Sequence, residues 1–102
     1  MDAVNIYKAL GDPVRLEMVQ RLANGDVNTI GELSHNLGVT RQGARKQLQV
    51  LVSANLVTLS KQGRETHVSL DAHRLKIAEQ FIAELTNQWD SRLSALKNLT
   101  ER

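Results

Sequence analysis

The sequence predicts a mainly α-helical domain carrying one small β-hairpin (α+β), in the order helix, helix, helix, helix, strand, strand, helix. Three observations predict it. Apolar residues recur at helical spacing up to Ala54 and again from Ala72 onward. Short capping signatures punctuate those stretches. Between them, Leu56–Ser60 and Thr66–Leu70 alternate apolar and polar residues with the period of a strand. A chain of 102 residues fits one domain over 1–102, and no repeat, low-complexity stretch or long linker divides it.

The first helix is expected from Ala3 to Leu10, with Val4, Ile6, Tyr7 and Leu10 as its apolar stripe. Gly11 can end it, Asp12 can cap the next helix, and Pro13 suits a first helical position. That second helix runs to about Ala23, with Val14, Leu16, Met18, Val19 and Leu22 in the core and Asn24-Gly25-Asp26 as a loop. Thr29 and Glu32 form a capping-box pair. They open a third helix that turns Ile30, Leu33 and Leu37 inward and stops at Gly38, with Val39 packed in the turn. Thr40 caps a fourth helix, Arg41 to about Ala54. Two short helices joined by a glycine-bearing turn fit a helix-turn-helix. The hairpin follows at once, with a five-residue loop Lys61–Glu65 and with Val57, Leu59, Val68 and Leu70 on its buried face. A helix-turn-helix plus a basic-tipped hairpin is a winged arrangement.

Asp71 caps a last helix from Ala72 to near Thr100. Leu75, Ala78, Ile82, Leu85, Trp89, Leu93, Leu96 and Leu99 recur along it at spacings of three and four. Such a helix is ~43 Å long at 1.5 Å per residue, more than a domain of this size can cover. Leu75, Ala78 and Phe81 are expected in the chain's own core. Ile82, Leu85, Trp89, Leu93 and Leu96 are expected to meet a second copy of the chain, as a homodimer.

Charge narrows the function. The net charge is +2, yet no Asp or Glu lies between Glu32 and Glu65, where Arg41, Arg45, Lys46, Lys61 and Arg64 gather and leave the rest of the chain at −3. On a wheel of the fourth helix, Ala44, Leu48 and Leu51 face inward. Gln42, Arg45, Lys46 and Gln49 face outward, with Arg41 at the margin. Arginine pairs with guanine and glutamine with adenine in the major groove of double-stranded DNA. Thr40, at the helix start, suits a phosphate. Lys61 and Arg64 flank Gly63 at the hairpin tip, where they can reach phosphate or the minor groove. The competing reading is a protein-interaction module that uses the fold as a dimer scaffold; an acid-free face speaks against it.

Other functions find no footing. With no cysteine, disulfides, thiolate metal sites and cysteine nucleophiles are excluded. Neither a phosphate-cradling glycine loop nor a nucleophile signature is present, so no enzyme and no cofactor are expected. Asp71, His73 and Glu84 are of metal-ligand type, but Asp71 is read as a helix cap and His73 as a surface residue, and no metal site is expected. His67 is read as an outward strand residue. With no apolar run of membrane-spanning length and no signal peptide, a cytoplasmic protein is expected, with no membrane partner.

Several segments resemble the ArsR family of repressors. Ala9-Leu10-Gly11-Asp12-Pro13-Val14-Arg15 resembles its opening signature. Glu32-Leu33, Leu37-Gly38-Val39-Thr40 and Leu48-Gln49-Val50-Leu51 fit its helix-turn-helix, Ala54-Asn55-Leu56-Val57 its entry into the wing, and Gly63-Arg64 its wing tip. Trp89 with Arg92-Leu93 and Leu96 looks like the C-terminal segment of one subgroup. The resemblance implies a homodimeric repressor paired through its first and last helices, which adds Ile6, Tyr7 and Leu10 to the contact. It also implies a near-palindromic operator. Many members carry Ser and His where this chain has Arg45 and Gln47, so their base preference does not transfer. The cysteine pair of the metal-sensing members is absent from the third helix, where His35 is the one soft ligand.

Overall fold

The computed structural model describes residues 2–25 and 27–101. Seven elements follow one another: α1 (Asp2–Leu10), α2 (Pro13–Asn24), α3 (Ile30–Ser34), α4 (Arg41–Ser53), β1 (Val57–Gln62), β2 (Glu65–Leu70) and α5 (Ala72–Thr100). This is the predicted order, and the cap chemistry explains where each helix begins. The Asp12 carboxylate accepts from the backbone N–H groups of Val14 and Arg15 at 2.9 and 3.1 Å, with Pro13 in the first turn. Thr29, Thr40 and Asp71 cap α3, α4 and α5 in the same way. Each side-chain oxygen satisfies an N–H that the helix itself leaves unpaired.

The core lies where α1, α2, α4 and the base of the hairpin meet. Ile6, Met18, Leu33, Leu51, Leu56 and Val57 are its largest fully buried side chains. Each contributes on the order of 1.5–3 kcal/mol by leaving water. Three sequence expectations of burial fail at its edge. Val4 on α1, Leu16 on α2 and Leu59 on β1 are exposed, because two short helices and a two-stranded ribbon cover a narrower stripe than the apolar pattern offers. Val39 is exposed as well, beyond the turn it was expected to fill.

α3 is shorter than expected. It ends at Ser34, and His35-Asn36-Leu37 form the turn, with Asn36 and Gly38 both at positive φ. Leu37 still packs on the core from that turn. The hairpin differs too. Its strands pair from Val57↔Leu70 to Gln62↔Glu65, so the loop is two residues, Gly63-Arg64, instead of five. A positive φ of 65° at Gly63 and none at Arg64 is the type II′ pattern, whose twist suits a tight hairpin. Asp26, expected in the loop after α2, lies outside the described residues.

α5 runs over the predicted span. Its first turns pack on α1, where Ala78 is buried, Leu75 lies against the core, and the rings of Phe81 and Tyr7 meet edge-on at 6.1 Å. The Tyr7 hydroxyl donates to the Ala78 carbonyl. Beyond Phe81 every described residue of α5 is exposed. The molecule measures 69 × 25 × 24 Å, and its radius of gyration is 18.4 Å, against about 13 Å for a compact chain of this length. No helix among the described residues is long and apolar enough to cross a membrane.

Candidate nucleic-acid interface

Two devices set the helix-turn-helix. The first is the capping box. Thr29 Oγ1 accepts from the Glu32 N–H at 3.2 Å, and the Glu32 carboxylate reaches back to the Thr29 hydroxyl at 3.1 Å and the Asn28 N–H at 3.3 Å. The second is Arg21, which sequence reasoning missed. From α2 its guanidinium donates to the carbonyls of Leu33, His35 and Asn36, which leave α3 without helical partners, while its Nε meets Glu17 at 3.1 Å. One rigid fork thus holds the end of α3 and the turn in place. The Glu17–Arg21 spacing on one helix face was visible in the sequence; the carbonyls were not.

α4 then begins at Thr40, whose Oγ1 accepts from the Gly43 N–H at 3.0 Å. A Cβ on Gly43 would stand 3.1 Å from that oxygen, so the glycine keeps the cap closed. Ala44, Leu48 and Leu51 are buried. Arg41, Gln42, Arg45, Lys46 and Gln49 are exposed on the opposite side, and Thr40 is exposed at the helix start. Gln47, between the two sides, is half-buried, and its Oε1 accepts from Arg15 Nη1 at 2.6 Å.

The hairpin stands beside this face. Its base is tied to the head by the Val68 N–H, which donates to the Asn28 carbonyl at 2.8 Å, and by a bridge between Thr29 and His67. These links had no signal in the sequence, since two residues are too few to show a strand period. They draw His67 into a half-buried position, with Nε2 3.7 Å from the Glu65 carboxylate, where an outward residue was expected. Arg64 occupies the turn. Lys61 lies within β1, paired with Thr66, and so does not flank the tip.

Between the hairpin and the helix-turn-helix runs a groove of about 490 Å³. Thr29, Ile30, Gly31, Ser34, His35, Asn36, Arg41, Arg45, Arg64, Glu65 and Thr66 line it. Three arginines from two elements therefore converge on one concavity, with a single acid among the lining residues. Guanidinium groups bind phosphate oxygens or guanine edges in pairs of hydrogen bonds. Gln42, Lys46, Gln49 and Lys61 lie outside this groove.

The other candidate residues fall as follows. Ile6, expected at a dimer contact, is fully buried within the chain, so its side chain has no surface to offer a partner. Tyr7 and Leu10 are half-buried. Ile82, Leu85, Trp89, Leu93 and Leu96 are exposed. Asp71 spends a carboxylate oxygen on the His73 N–H at 3.0 Å, as a helix cap. Among the described residues no group of three or more His, Asp or Glu stands close enough to hold a metal.

Comparison with known proteins agrees with this geometry. A helix-turn-helix domain family matches residues 10–60. YuzN of Bacillus subtilis (strain 168), an uncharacterized HTH-type transcriptional regulator, is 37% identical over 65 residues, covering 58% of this chain and 71% of YuzN. The transcriptional repressor SdpR of the same organism is 24% identical over 89 residues, 87% of this chain and 98% of SdpR. The solved structure of an ArsR-like transcriptional regulator from Rhodococcus sp. RHA1 superposes with a TM-score of 0.81 at 28% identity, over 96% of this chain and 92% of that one. All three relatives are transcriptional regulators and none is an enzyme.

Proposed function

This chain belongs to the ArsR-like winged helix-turn-helix transcriptional regulators, and on that premise we propose that it is a homodimeric repressor acting on an inverted-repeat operator in double-stranded DNA. The observation that carries the reading is the convergence of Arg41 and Arg45 of α4 with Arg64 of the hairpin on one groove. α4 enters the major groove, and its first turns reach base edges: Arg41, Gln42 and Arg45, with Lys46 and Gln49 toward the flanking backbone. Thr40 and its helix start take a phosphate, and Arg64 and Lys61 hold the backbone beside the wing. Repression is supported by the likeness to SdpR.

The dimer is supported by the uncovered stripe of α5 from Ile82 to Leu99, flanked by Tyr7 and Leu10 of α1. A two-fold axis through that seam gives two α4 helices about one DNA turn apart, ~34–36 Å. The operator is then an inverted repeat with half-sites in successive major grooves. The test is selection of binding sites from random and genomic duplexes with purified protein, beside light scattering on the same sample. The expected result is a palindromic site and a dimer mass. Recovery of sequences with no shared motif would overturn the reading.

A further inference from the structure

Two residues outside the proposed DNA face are joined to each other across 32 positions of sequence: Arg15 of α2 and Gln47 of α4. We infer that Arg15 is a positioning residue for base reading: through Gln47 it latches the inner side of α4 to the end of α1, and so fixes the angle at which Arg41, Gln42 and Arg45 meet the groove. This rests on the DNA-reading role proposed above.

The guanidinium is fully engaged. Nε donates to the Ala9 carbonyl at 2.7 Å, Nη2 to the Lys8 carbonyl at 3.2 Å, and Nη1 to Gln47 Oε1 at 2.6 Å. Lys8 and Ala9 lie in the last turn of α1, where carbonyls lack helical partners and the helix dipole is negative. Gln47 sits two residues from Arg45, about 200° around the helix at 100° per residue, so its amide points away from the DNA face. Gln47 is therefore unavailable as a base reader.

Directionality is what the latch adds. Ala44, Leu48 and Leu51 hold α4 by apolar burial, which is non-directional and tolerates small rotations. A planar fork bonded at three points does not. The other end of the latch is also fixed, because α1 is tied to α5 by the Tyr7 hydroxyl on the Ala78 carbonyl and by the Tyr7–Phe81 ring contact. Reading head and projecting helix are thereby joined by polar geometry as well as by packing. Base contacts need such registration, whereas phosphate contacts accept a tilted helix.

The experiment compares Arg15→Lys, Gln47→Met and the double variant with the parent chain. Fluorescence anisotropy is measured on the selected operator and on a scrambled duplex across a salt series, at a temperature where circular dichroism shows all four folded. Each single variant should bind the operator about tenfold more weakly, keep its affinity for the scrambled duplex and keep the parent's salt slope. The double variant should be no worse than either single, since the two residues act as one unit. Lysine keeps the charge and loses the fork, so an unchanged Arg15→Lys would overturn the latch. A salt slope reduced by about 0.9 would overturn it in favour of a phosphate contact. Losses that add, or that fall equally on both duplexes, would overturn it too. If the parent chain itself fails to prefer the operator, the DNA-reading proposal falls and the positioning role with it. If the parent prefers the operator and the variants match it, the latch alone falls.

Discussion

The first turns and the last turns of α5 carry the same apolar stripe and end in opposite surroundings. Leu75, Ala78 and Phe81 find Ile6 and Tyr7 of α1 and become part of the head. Ile82, Leu85, Trp89, Leu93, Leu96 and Leu99 continue the stripe with between 44% and 67% of their surface exposed. The periodicity of a helix therefore states that a face needs cover, and leaves open where the cover comes from. In the head it comes from the same chain. In the arm the nearest chemical match is the same stripe on a second copy.

The largest expected effect tests that assignment. Leu93→Asp places a carboxylate in the seam, and an unpaired charge buried there costs about 3–5 kcal/mol. Light scattering should give a monomer at micromolar concentration, and operator binding should be lost with it. Circular dichroism should stay unchanged, because Leu93 makes no contribution to the head's core. A dimer that survives would show that the arm's stripe is not the seam.

In the head, Arg45→Ala comes next, at about 1–3 kcal/mol per half-site, with relaxed preference at one base position and no change in dimer mass. Anisotropy on specific and scrambled duplexes reads it. An unchanged ratio between them would remove α4 from the groove, and a full-strength Arg45→Glu would favour the protein-interaction scaffold instead. Arg64→Ala should be weaker and different in kind: affinity falls alike on all sequences, and the salt slope drops by about 0.9 for one lost phosphate contact. The smallest effect belongs to a control. Leu16 on the head is 43% exposed and Leu93 on the arm 44%, so exposure alone cannot separate them. Leu16→Gln should change the urea midpoint by an amount worth under about 0.5 kcal/mol and leave dimer and operator binding intact. A dimer weakened by Leu16→Gln would move the seam onto the head.

Much of the fold was legible because its boundaries are made locally. Asp12, Thr29, Thr40 and Asp71 each cap within three residues of themselves, and a window of sequence holds the whole interaction. The end of α4 was legible for a similar reason. Asn55 takes a φ of 60°, and the Leu56 N–H closes back on the Leu51 carbonyl at 3.0 Å, a turn that Asn tolerates nearly as well as Gly. Illegible features depend on what arrives from elsewhere. Leu16 and Leu59 were read as core because a stripe shows its direction but not its width. The two-residue turn at Gly63-Arg64 was hidden by polar neighbours that pair as strand just as well as they loop. On the interface, the wheel of α4 sorted its outward residues correctly. That Arg41 and Arg45 share a groove with Arg64 is set by how the hairpin base bridges to Asn28 and Thr29, far from either in sequence. Arg15 and Arg21 were passed over because their acceptors are main-chain carbonyls and a distant glutamine.

The length of α5 bears on how such a regulator diversifies. Its uncovered turns lie past Phe81, and the groove arginines sit on other elements, so substitutions in the two places share no contacts and their effects should simply add. A duplicated copy of this gene could then exchange Trp89 or Leu96 for complementary residues and stop mixing with its parent while reading the same site. It could equally rewrite Gln42 or Arg45 and move to new promoters while still pairing as before. Separating the arm from the head gives inheritance two independent dials, one for whom the protein pairs with and one for what it reads.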